Sequence, residues 1–279
     1  MKLEVQRARA MTLRDLHHGS GILVLPNAWD CVSARLFEEA RFPAIATTSG
    51  GMAAVLGYPD GQHVSAGEML GLVERIAHTV TVPVTADLEA GYGISATGIA
   101  DVMRRAIDAG VAGVNIEDGR GAGRPLSGID EQSDIIRAVR DVARAADVPL
   151  VINARVDVFL HGSGDLEDRL GQAVERARAY CEAGADVVFP IALRDFETIS
   201  RLVKMVGCPV NIMAGHGAPS IPELERIGVR RVTFGSGMMR ATMPVAWKLA
   251  KDIRMHAESD LLEQSEFSHA AVNALFTRD

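Results

Sequence analysis

Eight times along the chain a short β-branched run ends in polar residues or glycine and gives way to a helical stretch. No other feature restricts the fold as much. The strand-like runs are ILVLPN from Ile22, AIATTSG from Ala44, VPVTADLEAG from Val82 and AGVNIEDG from Ala112, followed by PLVINARVD from Pro149, ADVVFP from Ala185, PVNIMAG from Pro209 and RVTFGSG from Arg231. Between them, stretches such as GEMLGLVERIAHTV, TGIADVMRRAIDAG and LEDRLGQAVERARAYCEAG repeat apolar residues at three- and four-residue spacings, and several close on glycine. The strands are nearly continuously apolar, as strands buried on both faces are. Strand–helix alternation implies parallel strands joined by right-handed crossovers. Eight such units within 279 residues predict a (β/α)8 barrel. The competing open, doubly wound sheet lacks its signature, because no glycine-rich dinucleotide turn follows the first strand.

The whole chain, 1–279, is expected to be one barrel domain, with 244–279 as a helical extension. That tail, PVAWKLAKDIRMHAESDLLEQSEFSHAAVNALF, reads as two helices with a break near Ser259–Asp260. A barrel needs only the first to cover its last strand. The rest, including Trp247, Leu261, Leu262, Phe267 and Phe276, needs a partner surface. A net charge of −7 argues against nucleic acid or an anionic membrane as partner, since both select basic surfaces. No apolar run reaches the ~20 residues of a membrane span, and the first twenty residues do not read as a signal peptide. Cys31, Cys181 and Cys208 have no metal-type spacing and are expected to be reduced thiols in a cytoplasmic protein.

In a barrel enzyme the chemistry sits at the C-terminal strand ends. Acids concentrate there on the third, fourth and fifth strands: Asp87 and Glu89, Glu117 and Asp118, then Asp157 with Arg155. Asp87 and Glu89, one residue apart in an extended chain, point the same way. With Glu117 they form a cluster whose members repel unless one takes up a proton or a cation lies among them. A hard divalent ion fits, and magnesium in particular uses one or two direct carboxylates and several waters. A solvated acidic rim is the alternative. The only lysines are Lys2, Lys204, Lys248 and Lys251, none at a strand end, so Schiff-base chemistry is excluded. His216, in the loop after the seventh strand, reads as solvated surface.

PNAWDCVSAR, TTSGGMAAVLGYPDGQ, ADLEAGYG, VNIEDG and NARVD, in this order over roughly residues 20–240, resemble the isocitrate lyase and phosphoenolpyruvate mutase superfamily. The resemblance implies a (β/α)8 TIM barrel whose C-terminal helix is swapped between subunits of a homodimer or homotetramer. It also implies Mg²⁺, with Mn²⁺ as a substitute, and a small 2-oxo- or 2-hydroxycarboxylate passing through an enolate-like state. By the same resemblance Asp87 is the direct metal ligand, and Glu89 and Glu117 hold metal-bound waters. Asp60 is the acid near the reacting carbon. Ser49, Gly50 and Gly51, next to Thr47, form the turn that holds the substrate carboxylate. Arg155 grips the substrate's oxygens, Asn211 is a polar contact and Trp29 walls the pocket.

The segment EDGRGAGRPLSGIDEQ departs from that pattern, with no cysteine, histidine or lysine where the lyases carry a lysine/arginine-cysteine-glycine-histidine loop. Ile191 stands where the lyases place a glutamate. The leading reading is therefore a Mg²⁺-dependent lyase acting on a C–C bond of a small dicarboxylate, by decarboxylation or retro-aldol cleavage, with Arg120 or Arg124 on the distal carboxylate. The alternatives are P–C bond chemistry on a phosphonate and a 2-oxoacid-binding protein with little turnover.

Overall fold

The computed structural model describes residues 1–121, 123–257, 259–263 and 265–277, with the side chains of His256, Leu261 and Glu263 outside that set. It opens with a helix that has no counterpart among the repeats, α1 (Leu3–Leu16). Gln6, Ala10 and Leu13, spaced by four and three residues, form its buried face. The Gln6 amide donates to the carbonyls of Ile107 (2.6 Å) and Val111 (3.0 Å). Leu13 packs over Gly113, where a Cβ would lie 3.0 Å from the Leu13 and Thr85 side chains and 2.9 Å from the Val151 carbonyl. The helix thus seals the N-terminal end of the strands.

The first barrel strand comes in two pieces, β1 (Leu23–Val24) and β2 (Asn27–Ala28). Pro26, between them, has no N–H to give. Ladder bonds continue on both sides all the same, from Leu25 N–H to the Val232 carbonyl and from Ala46 N–H to the Pro26 carbonyl, both 2.9 Å. The remaining strands are β3 (Ile45–Thr47), β4 (Val84–Asp87), β5 (Gly113–Glu117), β6 (Val151–Val156), β7 (Val187–Pro190), β8 (Asn211–Met213) and β9 (Arg231–Thr233). One run of parallel pairs is β2-β3-β4-β5-β6-β7 and the other is β1-β9-β8. The first barrel strand belongs to both runs, and a Val188–Val210 bridge joins β7 to the entry of β8. The eight barrel strands therefore close on themselves, and the predicted (β/α)8 fold is the observed one.

Around them run α2 (Cys31–Glu39), α3 (Ser49–Leu56), α4 (Ala66–Thr79), α5 (Ala96–Asp108), α6 (Ile129–Ala145), the short α7 (Val158–His161), α8 (Leu166–Glu182), α9 (Phe196–Met205) and α10 (Ile221–Arg226). Side-chain caps start several of them. The Ser65, Ser95 and Asp195 side chains accept from the backbone N–H groups of Glu68, Gly98 and Thr198, which satisfies donors that a helix start leaves free.

Two expectations need correction. Cys181, on the last turn of α8, and Cys208, just before β8, form a disulfide, and only Cys31 is a free thiol. The crossover through α9 brings together two residues 27 apart, which their sequence spacing did not signal. Among the described residues the tail forms three helices, not two: α11 (Gly237–His256), α12 (Asp260–Glu263) and α13 (His269–Ala274). Its first break falls at Ala257, whose φ of +56° is left-handed and ends α11. Met243, Val245, Trp247, Ile253, Met255, Leu262, Phe267, Val272 and Phe276 are all exposed, Trp247 to 68%. The expected Leu261 contribution lies outside the described residues. Arg35 on α2 ties the far end back by donating to the Leu275 carbonyl (2.5 Å). Among the described residues, no helix is long and apolar enough to cross a membrane.

Candidate active site

The acids converge at the C-terminal ends of β4, β5 and β6. Asp87 ends β4, and its backbone N–H donates to Thr47 Oγ1 on β3 (2.9 Å). Its Oδ2 accepts from the Ser49 backbone N–H (3.0 Å), while Oδ1 is buried and has no partner. Glu89 follows in a left-handed conformation, φ +50°, which turns its buried side chain back toward the site. Tyr92 O–H donates to Glu89 Oε1 (2.6 Å). Burial, the main cause, together with the charges of Asp87 and Asp60, pushes the Glu89 carboxyl up to about 7, against the opposing Tyr92 bond. Burial and the Glu89 charge push the Tyr92 phenol upward as well.

Glu117 ends β5, with Oε2 2.5 Å from Arg155 Nη1 but outside hydrogen-bond geometry. Burial and the neighbouring acids raise its carboxyl well above the ordinary range, and Arg155 only partly opposes this. Arg155 is held in turn by a two-point bond to the fully buried Asp157, from Nε to Oδ1 and from Nη2 to Oδ2, both 2.7 Å. Asp157 is anchored through its backbone N–H to Asp118 Oδ1 (2.8 Å). Asp118 Oδ2 accepts from Tyr180 O–H (2.7 Å) and Arg176 (2.9 Å), and Arg176 also donates to the Ser127 carbonyl (2.8 Å). This second layer from α8 was not legible in the sequence. Asp118 and Asp157 stood out only as polar strand ends, and nothing linked them to Arg176 or Tyr180.

The turn after β3 is built around small residues. Thr48 caps α3, and Gly50, at the second helical position, has no intrahelical acceptor for its N–H. A Cβ on Gly50 would come within 2.8 Å of Asp60 Oδ2, and one on Gly51 within 2.6 Å of Thr48 Cγ2 and 3.0 Å of Trp29 Cβ. Asp60 thus lies directly over the turn, and Trp29 backs it, edge-on to Phe37 at 6.1 Å. Three predicted contacts already hold protein partners. Thr47 spends its hydroxyl as acceptor for Asp87, and fully buried Asn211 shares hydrogen bonds with Thr233 at 3.3 Å. Arg120 is paired with Glu131 and donates to Ser127 Oγ (3.0 Å). The Arg124 side chain has no partner among the described residues. His216 is exposed, and its carbonyl accepts from Arg194 (2.7 Å).

Among the described residues no three His, Cys, Asp or Glu side chains form a ready-made metal cage. The donor set fits a hard cation held by one direct carboxylate and by waters, the arrangement magnesium favours. Asp87 Oδ1 is orphaned and buried, and burial together with the neighbouring acids drives Glu89 and Glu117 toward their neutral forms, Arg155 only partly opposing this at Glu117.

A family profile described as phosphoenolpyruvate phosphomutase matches residues 13–254. The chain belongs to this family. It is 31% identical over 215 residues to 2-methylisocitrate lyase of Halalkalibacterium halodurans, covering 74% of this chain and 67% of that protein. A solved phosphoenolpyruvate phosphomutase from Streptomyces platensis superposes with a TM-score of 0.85 at 27% identity, covering 95% of this chain and 94% of that one. A 2,3-dimethylmalate lyase, itself described as a PEP mutase/isocitrate lyase superfamily member, superposes with a TM-score of 0.84 at 26% identity, covering 96% and 94%. These family members are lyases and mutases, and they span C–C and P–C bond chemistry.

Proposed function

We propose that the protein is a Mg²⁺-dependent lyase that breaks a C–C bond of a small 2-oxo- or 2-hydroxydicarboxylate through an enolate-like state. The observation that carries this reading is the buried, unpartnered Oδ1 of Asp87 inside an acid cluster bordered by Arg155 and the Ser49–Gly51 turn. Asp87 would bind the ion directly, and Glu89 and Glu117 would hold its waters. The bound ion would supply a positive centre for the keto and carboxylate oxygens and for charge developing on the enolate oxygen. The chain does the rest. The turn offers the Gly50 N–H to the substrate carboxylate. Asp157 locks the plane of Arg155, so the guanidinium meets a growing oxyanion without reorganising. Asp60, which lies over the turn, would exchange a proton at the reacting carbon.

The loop after β5 offers arginines, which hold their protons too tightly to protonate a departing carbanion. Decarboxylation of a 2-oxodicarboxylate is favoured for that reason, since water can protonate the enolate product. A self-association in which α11–α13 exchange between subunits is proposed with this function, because their apolar faces lie exposed.

The test is calorimetric titration of oxalate into the protein with and without Mg²⁺, repeated on Asp87→Ala. Binding should require Mg²⁺ and vanish in the variant while the fold persists. Equal oxalate binding by Asp87→Ala would overturn the site. With oxaloacetate, isocitrate, methylisocitrate and phosphonopyruvate as substrates, pyruvate from oxaloacetate supports the reading. Glyoxylate from isocitrate at about 1 s⁻¹ or faster, an ordinary enzymatic rate, would show that the loop has been misread.

A further inference from the structure

From Glu117 a cleft of about 590 Å³ runs outward between the loops after β4 and β5, and Arg120, Arg124, Ser127, Gln132 and Ile135 are among the residues lining it. That volume falls within the range of small-molecule sites and extends beyond the acid cluster. Most polar groups along it are already satisfied. Arg120 is held by Glu131 and Ser127, and Ser127 N–H donates to the Asp118 carbonyl (2.9 Å). Gln132, on the first turns of α6, is one that is not satisfied. Its side chain is 1% exposed, its Nε2 has no partner, and no hydrogen bond holds either end of the amide among the described residues. Buried amides are almost always bonded, and an orphan calls for a group that the protein itself does not supply. Arg124, on the same cleft, is a cation with no partner among the described residues.

We propose that Gln132 is the specificity-determining residue of the distal half of the site. Its amide donates to the distal carboxylate of a four-carbon or longer 2-oxo- or 2-hydroxydicarboxylate, with Arg124 as the counter-ion. This rests on the reading of the acid cluster as a Mg²⁺–2-oxoacid site. Oxalate would fill only the proximal half, against Asp87 and Arg155, and would not reach Gln132. A dicarboxylate of malate length would span both halves.

The experiment is titration calorimetry of oxalate and of malate into the Mg²⁺-saturated full chain, its Gln132→Met variant and its Gln132→Glu variant, with melting temperatures recorded alongside. Methionine keeps the length and removes the donor, so the fold should survive with an unchanged or higher melting temperature. The expected result is oxalate affinity within twofold of the parent and malate affinity about tenfold weaker in Gln132→Met, equivalent to ~1.4 kcal/mol. Gln132→Glu should weaken malate further, since it sets like charges together. Unchanged malate affinity in both variants would overturn the proposal, as would equal losses for oxalate and malate, which mark a purely structural amide. A parent that binds oxalate but not malate would overturn it as well. A parent that fails to bind oxalate with Mg²⁺ would instead overturn the metal-site reading beneath it.

Discussion

Replacing Glu89 by glutamine should stabilise the metal-free protein at alkaline pH and do little in acid. The Glu89 carboxyl is buried beside Asp87 and Asp60, and its pKa is raised from an ordinary 4.5 to about 7. A group whose pKa is raised on folding binds more protons folded than unfolded between those two values, so stability falls as pH rises through that window. At about 1.36 kcal/mol per tenfold change in proton affinity, the gap amounts to at most ~3.4 kcal/mol. Part of the repulsion relaxes when neighbouring acids take up protons instead, which leaves an expected ~2 kcal/mol at pH 8. Glutamine removes the charge and still accepts the Tyr92 O–H through its carbonyl oxygen. Urea unfolding in chelator at pH 4.5 and pH 8 tests this directly. The variant should gain ~2 kcal/mol over the parent at pH 8 and close to nothing at pH 4.5, and its gain from saturating Mg²⁺ should be smaller than the parent's. A gain that is the same at both pH values, or a variant less stable than the parent at pH 8, would refute the argument that Glu89 is a buried charge awaiting a cation.

Gly51→Ala should destabilise by roughly 1–3 kcal/mol, the usual cost of overpacking, because its Cβ would meet Thr48 Cγ2 at 2.6 Å and the Trp29 Cβ at 3.0 Å; thermal unfolding checks it. Arg124→Ala should weaken dicarboxylates several-fold more than Arg120→Ala does, since Arg120 is already paired with Glu131; competitive inhibition by dicarboxylates against monocarboxylates measures the difference. The exposed apolar faces of α11–α13 should give an oligomer at micromolar concentration in light scattering, and a soluble monomer would contradict the proposed exchange.

The repeat of apolar runs and helical periods was enough to predict eight parallel strands, because burial on both faces leaves a continuous apolar signature and a crossover helix leaves a 3.6-residue one. Strand ends are equally legible, since polar residues stop each run, and this put Asp87, Glu117 and Arg155 on one face before any contact was known. What the chain could not announce are the links made by residues far apart in sequence. Asp118 becomes an anchor for Arg155 only when α8 brings Arg176 and Tyr180 against it, 58 and 62 residues later. Thr47 closes β3 as predicted while Asn211 opens β8 instead of ending it, and the polar groups of both are engaged by neighbouring strands, a matter of register that single-strand patterns do not encode. Arg231 opens a strand-like run like any surface arginine. Tertiary packing buries it completely, beside Asn115 Oδ1 at 3.3 Å, and burial lowers its pKa to about 9. The Cys181–Cys208 pairing and the orphaned Gln132 amide belong to the same class. Local sequence determines which face of an element is apolar and where the element stops, whereas the partner met by each polar atom is decided only when the barrel closes.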